Sequence, residues 1–170
     1  VLLWEQSKTT GLSPIQIQLL IFIKNHHSKL ANVSSLSKEF NLKKPTVSDA
    51  IKVLFNKGLI IREAGEDARA YTIRLTPEGV KMVSQVEGFA EPLRNSLSEL
   101  SSDDKNSFYS ALTEVIFKLN QAGIIQVQRT CYGCKYHEEK GKGHYCKLLD
   151  RPLQNKDLRL DCNEFESSLM

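Results

Sequence analysis

Four cysteines carry the most specific chemistry in this chain. Cys131, Cys134, Cys146 and Cys162 follow the spacing C-x2-C-x11-C-x15-C, and the preceding 130 residues contain no cysteine. A C-x2-C pair lets two thiolates meet one ion from a tight turn, and two further thiolates complete a tetrahedral shell. A reducing compartment disfavours the alternative of two structural disulfides. We therefore expect one four-Cys metal centre per chain. Zinc is preferred as the commoner structural metal of four-Cys sites, with an iron–sulfur cluster as the alternative. The second pair is wider than in a zinc ribbon, and a C-x2-C followed by two distant cysteines also resembles the spacing of high-potential iron–sulfur proteins. His137 and His144 fall between these cysteines and either could complete a Cys3His site; with four cysteines present they read as surface residues.

A second set of residues is marked by charge. The chain of 170 residues has a net charge of +3, too small to name a partner. Residues 31–75, however, hold eight basic and five acidic side chains, so the whole excess falls there and the remainder is neutral. Within that segment Lys43, Lys44, Thr46, Ser48 and Lys52 surround a predicted helix whose apolar positions are Val47, Ile51 and Leu54. The i, i+4, i+7 spacing of those three buries one face. It leaves the lysines and small hydroxyl residues outward, as a helix in a DNA major groove requires. Asp49 shares the outward face; it would repel phosphate, and pairing with Lys52 is its expected role.

The elements that position these residues can be read from local signals. Ser13-Pro14-Ile15-Gln16 has the form of a capping box with Pro in the first turn. A short helix follows Ser34 or Ser35, with a turn at Asn41, which tolerates the left-handed conformation. The helix opening at Pro45 ends at Lys57-Gly58. Leu59 to Arg62 and Ala70 to Leu75 then read as two strands of a hairpin. Thr76-Pro77 starts another helix, and Ser101 another, whose apolar stripe is Phe108, Leu112, Val115, Ile116 and Leu119. The fold class expected is mainly α with a small β-hairpin wing: a winged helix-turn-helix with dimerisation helices and a small metal-stapled C-terminal module.

Asp67-x-Arg69, followed by Leu75-Thr76-Pro77-Glu78-Gly79, and preceded by Thr46-Val47-Ser48 and by Lys57-Gly58-Leu59-Ile60, resembles the MarR family of bacterial transcription regulators. The resemblance covers roughly residues 10–122. It implies a homodimer on a two-fold-related double-stranded DNA operator. The helix from Pro45 would be the reading helix, and Arg69 would enter the minor groove, braced by Asp67. It also implies an effector, since members often bind small ligands between the dimerisation and reading regions. The cysteine tail lies outside the family pattern.

The expected organisation is a winged helix-turn-helix and dimerisation domain over 1–122, then a Cys-rich metal-binding module over 123–170. The reading core is 31–75, with dimerisation helices near 1–12 and 77–122. Two roles compete for the tail: a staple that extends the dimer, or a metal- or redox-linked control of DNA binding. Apolar residues at 41% and charged residues at 25% exclude wholesale disorder. No apolar run reaches the ~20 residues of a membrane span, and no signal peptide is visible, although the start at Val1 gives that little weight. A cytoplasmic, non-enzymatic protein is expected: there is no Gly-rich phosphate loop, nucleophile elbow or H-E-x-x-H, and four cysteines would saturate a metal. The competing class is a winged-helix protein-interaction adaptor with a structural metal tail and no DNA binding.

Overall fold

A computed structural model describes residues 1–64, 71–141 and 143–168. The chain divides into two compact units, Val1–Ser96 and Leu97–Met170.

In the first unit, α1 (Leu2–Thr10) stops at Gly11. Next, α2 (Pro14–Asn25) opens with the capping box: Gln16 N donates to Ser13 Oγ, and Ser13 N to Gln16 Oε1 at 2.9 Å. α3 (Val33–Glu39) and α4 (Lys44–Asn56) form the helix-turn-helix. The cap of α3 is Asn32, whose side chain accepts from Ser35 N at 2.9 Å, so the helix starts earlier than Ser34 or Ser35 suggested. Asn41 sits at φ 49° in the turn before α4. Gly58, at φ 69°, ends α4, and Leu59 N reaches back to Leu54 O at 3.0 Å. Only a residue without Cβ takes this conformation freely.

The strands β1 (Ile60–Ala64) and β2 (Tyr71–Leu75) pair antiparallel, with Ile60 opposite Leu75 and Ala64 opposite Tyr71. Ile73 N donates to Ala31 O at 2.7 Å, which ties the hairpin to the chain entering α3. α5 (Pro77–Val86) and α6 (Glu91–Ser98) follow, joined by a 3-10 turn. Buried Ile17, Leu20, Leu36, Val47, Ile51, Leu54, Ile60, Ile73 and Val83 make one core shared by α2 to α5 and the hairpin. That core fixes the orientation of α4, because turning it about its axis would expose Val47, Ile51 and Leu54.

In the second unit, α7 (Ser102–Gln121) is capped by Ser101, which accepts from Asp104 N at 3.1 Å. A three-stranded antiparallel sheet follows in the order β3 (His137–Lys140), β4 (Gly143–Cys146), β5 (Arg151–Leu153). The division between the units falls well before the 122/123 boundary that the cysteine distribution suggested. The reason is that α7 packs on the 3-10 turns at Cys131–Gly133 and Asn155–Asp157. Among the described residues, no helix is long and apolar enough to cross a membrane.

Candidate functional site

The first candidate site is the outward face of α4. Lys43 is its N-cap, and Lys43, Lys44, Thr46, Ser48 and Lys52 are all exposed, as is Asp49. Three lysines and two hydroxyls thus share a surface over a fully buried opposite face. Two other basic residues of the segment are engaged in packing. The Arg62 guanidinium lies over the rings of Phe55 and Tyr71, at 5.3 and 4.8 Å from their centroids. Arg74 Nη1 reaches both carboxylate oxygens of Glu63 at 3.2 Å. Arg69 and Asp67, the pair expected in the wing, lie outside the described residues.

The Leu75–Gly79 segment explains its own motif. Thr76 Oγ1 accepts from Gly79 N at 3.0 Å as the cap of α5, and donates to Gly58 O at 2.7 Å. Thr76 N donates to Leu59 O at 3.1 Å. One threonine therefore starts α5 and clamps it to the end of α4. Gly79 packs so closely on that clamp that a Cβ would stand 2.0 Å from Leu59 O. The motif holds the hairpin base against the end of α4.

The second candidate site is the cysteine cluster. All four thiols are free and half-buried. Backbone pairing puts Cys131 and Cys162 on neighbouring segments: Cys131 N donates to Arg159 O and Cys162 N to Arg129 O, both at 3.1 Å. Cys134 bridges to Ser167, and Cys146 ends β4 opposite His137. The Arg159 backbone N–H donates to Cys131 Sγ at 3.2 Å. Burial pushes the Cys131 thiol up; the Arg159 N–H acts against this, and the charges of Cys162, Cys134 and Cys146 raise it further. Among the described residues, no three His, Cys, Asp or Glu side chains gather closely enough to hold a single ion. Instead Cys131, Cys146 and Cys162 border one cleft of about 480 Å³.

Several supporting residues carry no signal in the sequence. Gln128 Oε1 accepts from Thr130 N and Thr130 Oγ1 at 2.9 and 2.6 Å. Its amide also lies against Gly133, where a Cβ would stand 2.0 Å from Nε2. Tyr132 packs on Phe117 of α7 and edge-on to His137 and His144. The two histidines stack and share a hydrogen bond of 3.0 Å between Nε2 of His137 and Nδ1 of His144. Burial holds His137 below the usual histidine range, and the nearby His144 lowers it further. These histidines are therefore a structural pair beside the cysteines, rather than independent surface residues. Tyr109 of α7 donates to Leu158 O, a second tie between this helix and the cysteine segment.

Residues 10–70 match the MarR family model. No curated protein matches the chain. Among solved structures, a MarR transcriptional regulator from Methanosarcina mazei Go1 is 23% identical, with 71% of this chain and 86% of that one covered and a TM-score of 0.59. MepR of S. aureus, in its complex with DNA, is 25% identical over 68% of this chain and 85% of that one, with a TM-score of 0.57. S. aureus MarR in complex with salicylate and kanamycin is 21% identical over 69% and 79%, with a TM-score of 0.59. Together with the antiparallel hairpin and the exposed face of α4, these matches show that residues 10–70 are similar to the MarR family model and that the chain shares the winged-helix fold of these regulators.

Proposed function

We propose that this chain is a homodimeric transcription regulator that binds a two-fold-related operator in double-stranded DNA, and not an enzyme. The observation that carries this reading is the exposed row Lys43, Lys44, Thr46, Ser48 and Lys52 on a helix-turn-helix whose opposite face is buried. Lysines there neutralise phosphates, and the small hydroxyls reach base edges or the backbone. By their place in the D-x-R motif, Arg69 enters the minor groove, which favours arginine electrostatically, and Asp67 braces it. The MepR–DNA complex supports the same reading.

The dimer is supported by α7. Its one buried residue is Thr113, whereas Phe108, Leu112 and Val115 are exposed at i, i+4, i+7. Exposed Trp4 and Leu93 add further apolar surface on α1 and α6. A helix that presents its apolar stripe to solvent needs a partner. A small-molecule effector is proposed as well, by likeness to the salicylate complex of S. aureus MarR.

The cysteine segment is proposed to bind one metal centre through Cys131, Cys134, Cys146 and Cys162, and its state to adjust DNA affinity. The contact that favours control is that of Tyr132, between Cys131 and Cys134, with Phe117 of α7. Rearrangement of the cysteine turn would press on the same helix that pairs the two copies.

Selection from a random duplex pool, followed by titration at 50 to 200 mM salt, tests the DNA reading. A two-fold motif with half-sites about one helical turn apart is expected, with affinity falling steeply as salt rises. Recovery of no motif and a salt-independent signal would leave the adaptor reading instead.

A further inference from the structure

We propose that the second unit binds an aliphatic organic anion, a saturated chain with one acidic headgroup. The chain lies in the cleft bordered by Leu148, Leu149, Leu153 and Leu158, and the headgroup meets Lys105, Asn106 and Lys156. Every residue of this site belongs to one unit. The site requires neither a metal on the cysteines nor the effector proposed above by likeness.

The apolar half is built around β5. Leu153 and Leu158 are buried, while Leu148 and Leu149, in the turn before β5, are 45% and 52% exposed. Buried and exposed leucines thus border one space of about 480 Å³, within the ~300–1,000 Å³ of ordinary ligand sites. A bound chain would cover the two exposed leucines, and removing apolar surface from water favours binding. The walls suit a flexible chain. Among the described residues bordering the cleft, the one aromatic ring is Tyr109, whose hydroxyl is already given to Leu158 O.

The polar half comes from α7. This helix packs on the 3-10 turn Asn155–Asp157, which carries Lys156. Lys105, Asn106, Tyr109 and Lys156 border a recess of about 220 Å³, and no carboxylate lines it among the described residues. Tyr109 and Lys156 also border the leucine cleft, so the two spaces adjoin. Lys105 Nζ donates to Ser98 O at 2.8 Å, a contact that positions the ammonium and leaves its charge uncompensated. The acids of the cleft are fewer than its cations once pairing is counted. Asp161 is matched by Arg129 at 2.5 Å. That leaves Lys105, Arg151, Lys156 and Arg159 against Asp157 and Glu164, and Asp157 is turned to the backbone N–H of Gln154 at 2.9 Å. A surplus of positive charge beside an aliphatic wall complements an acid on a hydrocarbon chain, and not an uncharged one.

The experiment is calorimetric titration of the full chain with octanoate, decanoate, decanol and inorganic phosphate, each below the concentration at which it self-associates. Decanoate is expected to bind once per chain, with a negative heat-capacity change. It should bind about fifteenfold more tightly than octanoate, the effect of two buried methylenes. Lys105→Ala with Lys156→Ala should weaken decanoate at least tenfold, as for lost charge-assisted hydrogen bonds. Leu149→Asn should weaken it severalfold. The chain-length series on the unsubstituted protein decides the matter if a variant fails to fold. No binding of decanoate, or equal binding by the double-lysine variant, overturns the site. Decanol as tight as decanoate removes the role of the headgroup, and phosphate as tight as decanoate removes that of the chain; either overturns the proposal.

Discussion

Gly79 and the carbonyl of Leu59 are in contact: a Cβ at Gly79 would stand 2.0 Å from Leu59 O. The carbonyl belongs to backbone that also receives Thr76 N, so it cannot retreat without opening the base of the hairpin. Gly79→Ala is therefore expected to destabilise the first unit by at least the ~1–3 kcal/mol typical of overpacking. Thr76→Ala should cost the ~1 kcal/mol of a lost N-cap. Denaturant midpoints measure both. A midpoint for Gly79→Ala equal to that of the parent would show that the close approach does not exist in solution.

The DNA face predicts graded effects. Lys44→Ala and Lys52→Ala should each weaken binding to all sequences alike and lower the salt slope by about 1, as for a lost phosphate contact. Arg69→Ala should weaken operator binding and leave the dimer folded. Anisotropy titrations at several salt concentrations separate these cases. Unchanged affinity in Arg69→Ala would remove the wing assignment.

The exposed stripe of α7 predicts oligomeric state. Phe108→Glu with Val115→Glu places two charges on the surface proposed to pair, where desolvating them is unfavourable. The doubly substituted chain should sediment as a monomer, with the helical content of the parent. A dimer that survives this change would move the interface elsewhere.

The stacked histidines predict an acid-sensitive second unit. The folded pKa of His137 lies below its unfolded value of about 6.5. Protonation therefore favours the unfolded form, so stability is fully present above about pH 6.5 and declines as pH falls below it. The metal-free chain should melt lower at pH 5 than at pH 7.5. His137→Phe should flatten that difference. A pH-independent melting temperature in the parent would show that burial does not act on this ring.

Much of the first unit was legible because its signals are local. Ser13 and Gln16 make the capping box their spacing implies, and Asn41 and Gly58 take positive φ where helices end. The alternation at Val47, Ile51 and Leu54 also fixed which face of α4 is buried. The second unit was less legible. Its strands are three or four residues long, and His137 to Lys140 carries no apolar alternation to announce a strand. These short strands exist through pairing with one another, Lys140 opposite Gly143 and Cys146 opposite Arg151, and periodicity within each strand does not record that. Gln128 and Tyr132 act through side-chain contacts for which no spacing rule exists. The C-x2-C motif marked the cysteines as a group, but not the cleft they border.

The two residues inside that motif are closely packed by their neighbours. Gly133 is held by the Gln128 amide and Tyr132 by Phe117 and the histidine rings. The shape of the loop is thus settled by its neighbours before any ligand arrives. Little ordering entropy remains to oppose ligation at Cys131 and Cys134, so this half of the site is preorganised. If the proposed centre forms, Cys146 and Cys162, on separate segments, are the half whose arrival would complete it.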